Sequence, residues 1–390
     1  MKRVQSQGSI LVVVMITLLF TAAALVTFLD KASNDLLVEA HVTVANRLRI
    51  DAYSSLEVTL GVLQDFYAAD SGLHSASEGW GDPLTWAGWA PPDGTRVDVA
   101  FEDESGKLPL MHANFNTLGN MFQTWGLNQA DAQHLADVLL SWMQQTYVPT
   151  TGIQPDYEQS ATPYDPPLRP IRSYSELAAI DYAKEVLFDK DGLPNALWWR
   201  FHDDISLFNY PKPNINGANG DVLAAIGQFT GDQQQNISNY MSGTGDYTVN
   251  TPVGKQWFNN SSSVLGVVGG SGTPQNFQYT IAALRVRITV HEGSSVFHLA
   301  AVVAPQGGAR VIQTTATDVR TNGSNGTSGE TTTSNGLNSS TTQSNSTATS
   351  SQTAAASTQQ ANLQYPFTVL EILENDQILA APPASASPST

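Results

Sequence analysis

Three textures of hydrophobic and polar positions succeed one another along the chain. The first is an unbroken apolar run from Ile10 to Leu29, preceded by Lys2 and Arg3 and closed by Asp30. About twenty apolar residues suffice to cross a bilayer as a helix, and the basic flank keeps the short N-terminal end on the cytoplasmic side. From Leu37 the apolar positions thin to steps of three and four: Leu37, Val44, Leu48, Ala52, Leu56, Leu60, Leu63 and Phe66. That spacing is one face of an amphipathic helix. No proline occurs before Pro83, and the first glycine after Gly8 is Gly61. A single helix from Ile10 to about Ala68 is therefore expected, roughly 90 Å long at 1.5 Å per residue.

The second texture is mixed. Residues 79–94 are rich in Trp, Gly and Pro and read as loop, with Trp80, Trp86 and Trp89 placed to close a head over the helix. Arg96 to Phe101 alternates with period two, as a strand does. Helical patterns then take over. Asn128 precedes a helix over Ala130–Met143, and Ser173 with Glu176 has the spacing of a capping box opening a helix through Leu187. Residues 107–118 align without gaps on 212–223, and the register continues to Gly126 against Gly231. Each copy reads as an Asn-rich turn, a short helix, a glycine and a second helix. After Ser242 strands are expected again, over Tyr279–Val290, Ser295–Val303, Ala309–Val319 and Phe367–Leu373.

The third texture is polar. Thr321 to Gln360 is almost wholly Ser, Thr, Asn, Gly, Gln and Ala, too poor in apolar surface to order itself, and the tail after Leu379 is Pro, Ser and Ala. Together these patterns predict an α+β fold. A long N-terminal helix packs on an antiparallel sheet, and an all-helical domain is inserted between strands. The expected divisions are a leader at 1–8, a transmembrane helix at 9–30, a head at 31–102 and 243–320 split by the helical domain at 103–242, the polar loop at 321–360, and a last strand and tail at 361–390.

Composition removes several functions. The net charge of −17 opposes contact with a phosphate backbone, so no nucleic acid is expected as partner. The absence of cysteine excludes disulfides, thiolate catalysis and Cys-ligated metals. Zincin, nucleophile-elbow and P-loop patterns are missing. Glu102 and Glu104 could be imagined as an acid–base pair, but exposed charges alternating along a strand explain them more simply. The chain is read as a non-enzyme. Asp156, Glu158 and Asp165, in the irregular Pro- and Tyr-rich connection between helices, are candidate oxygen ligands for calcium. The Asp189–Gly192 segment is not an EF-hand, because Arg200 stands where that loop needs Glu.

Gly8 ahead of the apolar run resembles the cleavage point of a type IV prepilin leader, which would leave Ser9 as the mature N-terminus and retain the helix as an anchor. Further blocks resemble the type II secretion K-type minor pseudopilins (GspK family) in order and spacing. They are Asp103-Glu104-Ser105-Gly106-Lys107-Leu108, Leu135 to Trp142, Asp165 to Pro170 leading into Ser175-Glu176-Leu177, and Asn214-Ile215-Asn216. Most pilins carry Glu at the fifth mature position, where Val13 stands; the K-type members characteristically lack it, as suits a subunit with no neighbour above. The resemblance implies a pilin-like head with a helical insert, a prepilin peptidase acting at Gly8, and an inner-membrane anchor with the bulk of the chain in the periplasm. It implies a filament-tip complex with the I- and J-type minor pseudopilins, and the H-type and major pseudopilins as further partners. Leu37, Val44, Leu48 and Leu56 would meet the partner helices. It also implies calcium in the helical domain, although Trp142 is followed by Met143-Gln144-Gln145 where relatives carry acids. Two other readings are a minor pilin of a type IV pilus, which would lack the insert, and a secreted carbohydrate-binding protein or hydrolase stacking sugars on Trp80, Trp86 and Trp89 and on the Trp198-Trp199 pair.

Overall fold

The computed structural model describes residues 7–155, 157, 163–244, 256–312 and 367–378. The polar loop at 321–360 and the tail after Leu379 lie outside the described residues.

Helix α1 runs unbroken from Gln7 to Asp70. The lack of an internal proline permits this. A four-residue turn of helix, α2 (Pro83–Trp86), follows. Strand β1 (Thr95–Glu102) leads to the short β2 (Leu108–Pro109), then to helices α3 (Phe115–Thr124) and α4 (Gln129–Met143). Helices α5 (Ala183–Leu187) and α6 (Ala196–Asp204), strand β3 (Ile205–Ser206), and helices α7 (Gly220–Gly227), α8 (Gly231–Ser242) and α9 (Ser261–Val268) complete the helical region. Strands β4 (Leu284–Glu292), β5 (Ser295–Pro305) and β6 (Phe367–Glu374) are the last strands among the described residues.

The main sheet is antiparallel in the order β1-β4-β5-β6. Alternation sorts its two faces. Leu284, Val286, Ile288 and Val290 of β4 point with Leu299, Ala301 and Val303 of β5 toward Leu48, Ala52, Leu56, Leu60 and Leu63 of α1. Trp80 seals this core: it is buried edge-on against Phe101, and its indole N–H donates to Glu78 at 2.8 Å. The other face, at Ala283, Val302 and Ala304, is covered by Phe208, Tyr210 and Ala309. The result is three layers: helix, sheet and insert.

The two sequence copies are two helical hairpins. Asn114 caps α3 by accepting from Thr117 N at 3.0 Å, and Asn219, its counterpart in the repeat, caps α7 by accepting from Val222 N at 3.0 Å. Helix α3 packs on both α4 and α7, so the hairpins meet through their first helices and share one core with Phe258, Val264 and Phe277. The insert also holds a two-residue parallel ladder, β2 with β3.

Four expectations need correction. Ser173 and Glu176 do not form a capping box. Ser173 accepts from Ser175 N, while Glu176 takes Arg172 N and the Arg169 guanidinium. A 3-10 turn (Tyr174–Ala179) results, separated from α5 by Tyr182 at φ 59°. The helical region does not end at Ser242, since α9 and Phe277 belong to the insert's core. Among residues 309–312 there is no strand, only a bridge from Arg310 to Asn209, and 313–319 lie outside the described residues. Glu104 is not an exposed strand charge but fully buried.

The stripe on α1 is divided in the same way. Leu48 and Leu56 are core residues of the head, Val44 packs at its margin, and Leu37 is exposed. Leu48 and Leu56 are therefore not free to meet another chain. Leu48→Asp is expected to unfold the head rather than leave it intact. Leu63→Ala, at a fully buried site, should cost about 2–5 kcal/mol. Denaturant unfolding of the full chain in detergent measures both; an unaltered midpoint for Leu48→Asp would contradict this packing.

Candidate functional site

Two features carry the chemistry of recognition. The first is the apolar surface of α1. Every residue from Leu11 to Lys31 is exposed, although most are aliphatic or aromatic. Among the described residues α1 is the one helix long and apolar enough to cross a membrane. Beyond the apolar run, Leu36, Leu37, Val38 and Val42 stay exposed, with Leu37 at 57%. An uncovered strip of this kind, continuing an exposed hydrophobic helix, fits a lipid or another helix better than water. Gly8 and Ser9 lie within the first turns of α1.

The second feature is the junction between insert and sheet. The insert begins at Asp103-Glu104-Ser105-Gly106-Lys107, directly after β1. The Ser105 N–H donates to Ala283 O at 3.0 Å, and its hydroxyl accepts from Ala282 N at 2.9 Å. These bonds fasten the insert's start to the segment that begins β4. Asn214 crosses over from the second hairpin. Its N–H donates to Ser105 O at 2.7 Å, and its side-chain amide donates to Asp103 Oδ2 at 2.7 Å and to His74 O at 3.2 Å. Asn216 adds three bonds, accepting from Phe258 N at 2.7 Å and donating to Phe258 O and Tyr279 O at 3.0 and 3.1 Å. Two glycines make the crossing possible. A Cβ on Gly106 would stand 2.3 Å from Gly217 O, and one on Gly217 would stand 2.2 Å from Asp103 Oδ2. No real side chain tolerates such distances, so both positions require glycine for close approach.

Beneath this crossing lies an ion cluster with a buried centre and a solvent-facing edge. Lys107 Nζ is 2.9 Å from Glu102 and 3.0 Å from Glu104. Arg285 of β4 reaches Glu104 at 3.2 Å and Glu371 of β6 at 3.0 Å, and Arg287 pairs with Glu102. The Tyr210 hydroxyl lies 2.9 Å from the carbonyl oxygens of both Glu104 and Lys107. Three cations and three carboxylates thus balance, which a low-dielectric site requires. Burial pushes the Glu102 carboxyl up, but the charge and hydrogen bond of Lys107, with Arg287 and Arg285, outweigh it and hold it at about 2. Asp103 has no cation. Burial drives it up to about 7, only partly offset by hydrogen bonds from Ser105 and Asn214.

Of the candidate calcium ligands, Asp165 is exposed, and Asp156 and Glu158 lie outside the described residues. Among the described residues no three acidic or histidine side chains are grouped to hold a metal. The buried carboxylate of this region is Asp137 on α4, which sequence reading missed. It accepts from Tyr147 Oη at 2.6 Å, Thr150 N at 3.0 Å and Thr151 N at 2.7 Å. Burial raises its carboxyl, but Thr151 and Tyr147 more than compensate and hold it below the usual range. Its signal in the sequence was an Asp on the apolar side of a helix, between Leu135 and Val138. The tryptophans split: Trp80 and Trp198 are buried, and Trp86 is 62% exposed on Phe66.

A match to known proteins begins at the first residues of the insert and runs through α5. Residues 103–190 match the family described as type II secretion system (T2SS), protein K. This segment is similar to the type II secretion protein K family. The match bears out the resemblance read from the Asp103–Leu108, Leu135–Trp142 and Asp165–Leu177 blocks, all of which fall inside the protein K segment. A chain in the crystal structure of the GspK-GspI-GspJ complex from the enterotoxigenic Escherichia coli type 2 secretion system aligns with a TM-score of 0.47 and 12% identity, over 71% of this chain and 97% of that one. No curated protein matches the chain in sequence.

Two substitutions test the junction of the protein K segment. Gly217→Ala forces apart the two ends of the crossing and should lower stability by about 2 kcal/mol or more, read as a shifted unfolding midpoint. Asp103 titrates upward on folding, so the folded state binds the extra proton between the ordinary carboxylate range and about 7. Stability from this group is therefore full at low pH and falls as pH rises toward 7, whereas the share from Glu102 is lost only as pH falls below its unfolded value. Asp103→Asn should flatten the decline of melting temperature between about pH 4 and pH 7; an unchanged slope would place the decline elsewhere.

Proposed function

We propose that the chain is a minor pseudopilin of type II secretion, a membrane-anchored subunit that initiates and caps a pilus-like filament used to export folded proteins across the outer membrane. The observation that carries this reading is the combination of a protein K segment with an exposed apolar helix on one chain. In this reading the run from Ile10 to Leu29 sits in the inner membrane, and the head and insert stand in the periplasm. Prepilin peptidase cuts after Gly8 and the new N-terminus at Ser9 is methylated.

The counterparts of GspI and GspJ are the proposed partners, with the H-type and major pseudopilins below them. Leu36, Leu37, Val38 and Val42 supply the helix–helix contact, because they are apolar, exposed and free of the head's own core. Val13, in place of a membrane-embedded carboxylate, leaves nothing on this helix to pair with an amine above it. The insert, packed on the sheet face opposite α1, supplies the bulk that ends the filament. The work is mechanical, and no step in it calls for catalysis.

Full-length chain co-expressed with the I- and J-type pseudopilins of the same cell should be purified as a one-to-one-to-one complex. Leu37→Asp should abolish that complex while leaving the melting temperature of the chain unchanged, in contrast to Leu48→Asp. Mass spectrometry of the purified chain should find a methylated Ser9 terminus. A wild-type chain that forms no complex and keeps its first eight residues would defeat the proposal.

A further inference from the structure

The far end of α1 carries an exposed aromatic surface to which the filament reading gives no role. Trp86, in the single turn of α2, is 62% exposed, whereas tryptophan in folded proteins is mostly buried. Its position is fixed by the surrounding chain. The ring leans on Phe66 of α1 at 5.0 Å between centroids, and the Trp86 N–H donates to Asp82 O at 3.1 Å. Pro83 opens the turn, and the Trp89 N–H donates back to Leu84 O at 2.9 Å. A preorganised, water-facing indole is the type of residue that dominates binding at protein interfaces.

The charges around this indole decide what suits it. From Ile50 to Thr95 the chain has seven acids and no Lys or Arg, and its one histidine there, His74, already contacts Glu78. Asp82 lies one helical turn before Trp86, and Asp70 lies one turn beyond Phe66, on the helix faces that carry the two rings. One Asp82 oxygen accepts from Thr85 N at 3.4 Å, and neither carboxylate has a cation partner among the described residues. The acids of the sheet, by contrast, are paired: Glu102, Glu104 and Glu371 meet Lys107, Arg285 and Arg287. Asp70 also stands at the unfavourable end of its helix. A helix C-terminus is the negative end of the dipole and is stabilised by a cation, yet α1 has no basic residue in its last turn and closes on a carboxylate. A cation over the indole would meet the ring's negative face, two unpaired carboxylates and the dipole together. An anion would be repelled, and an apolar occupant would desolvate both carboxylates without compensation.

We propose that this end of the head docks an arginine- or lysine-bearing segment of another protein, with one cation seated on Trp86 between Asp70 and Asp82. Asp70 stands forty-one residues beyond Leu29, about 60 Å along α1, so this partner is engaged well away from the helix contact at Leu36–Val42. The probe is a fluorescein-labelled peptide of alternating glycine and arginine, titrated into the full-length chain in a polyoxyethylene detergent and read by fluorescence anisotropy. The same peptide with citrulline in place of arginine keeps the shape, loses the charge and should not bind. Trp86→Ala should weaken the arginine peptide about tenfold or more. Asp70→Asn and Asp82→Asn should each weaken it about threefold without lowering the melting temperature, since Asn caps a helix as well as Asp does. Asp191→Asn, at an exposed carboxylate of the insert, should leave the affinity unchanged. The proposal is overturned if the arginine peptide does not bind, or if Trp86→Ala binds it like the wild type. It is overturned equally if Asp191→Asn weakens binding as much as Asp70→Asn does, because the attraction is then general to an acidic surface. Binding of the citrulline peptide or of chitohexaose that depends on Trp86 but not on Asp70 or Asp82 would make the platform a site for a neutral ligand, and also overturns it. These readouts need neither membrane nor pseudopilin partners, so their failure is distinguishable from failure of the filament reading.

Discussion

Everything in this head depends on how a large insert is held to the sheet it interrupts. An inserted domain is joined to its host by the chain at two places, and two flexible joints would leave it to swing. Here the joint is made rigid by a neutral ion cluster drawn from β1, β4, β6 and the first residues of the insert, buried at Glu104, Lys107 and Arg285 and open to solvent at Glu102, Arg287 and Glu371. Removing one member would strand a buried partner, a heavier cost than the intact cluster returns in stability. The cluster therefore acts less as glue than as a specification of geometry: only one placement of the insert satisfies all six groups. The Asp103–Asn214 crossing, possible only where two glycines let backbones approach, fixes the same placement a second time.

The layers follow from this. With the insert fixed on one face, the sheet offers its other face to α1, and the alternation along β4 sorts aliphatic residues toward the helix and arginines toward the insert. The two hairpins of the insert can then be built from one pattern, because an Asn cap and a short first helix are enough to present equivalent faces for packing. Function is distributed in the same manner. The head holds α1 by its second half and leaves the first half bare.

Much of this was legible in the residue pattern. The unbroken α1, the strand at β1, the β4–β5 hairpin and the hairpin repeat are written in local periodicity and capping residues, which act over a few positions. What was not legible required knowing which distant groups meet. Glu102 and Glu104 have the spacing of exposed strand charges, and only the distant Arg285, with Lys107, makes Glu104 interior. Leu37 and Leu48 share one helical stripe; nothing local says that the head begins between them. The Ser173–Glu176 spacing satisfies a capping rule, but the Arg172 backbone N–H and the Arg169 guanidinium claim the glutamate first. The blocks Asp103–Leu108 and Asn214–Asn216 were visible as motifs, yet their purpose, to touch one another, lies a hundred residues apart in sequence.

The straightness of α1 sets a clearance. Leu48, the first fully buried residue of the helix, lies eighteen positions beyond Asp30, where the apolar run closes. At 1.5 Å per residue this sets the head's core about 27 Å beyond the end of that run, on a stalk that the head touches only from Val44 onward. With no proline and no flexible glycine in that stretch, the stalk behaves as a spindle: a lift or a twist applied at its foot reaches the head undiminished. A subunit built this way has little compliance, so its height and azimuth are decided by whatever grips the foot.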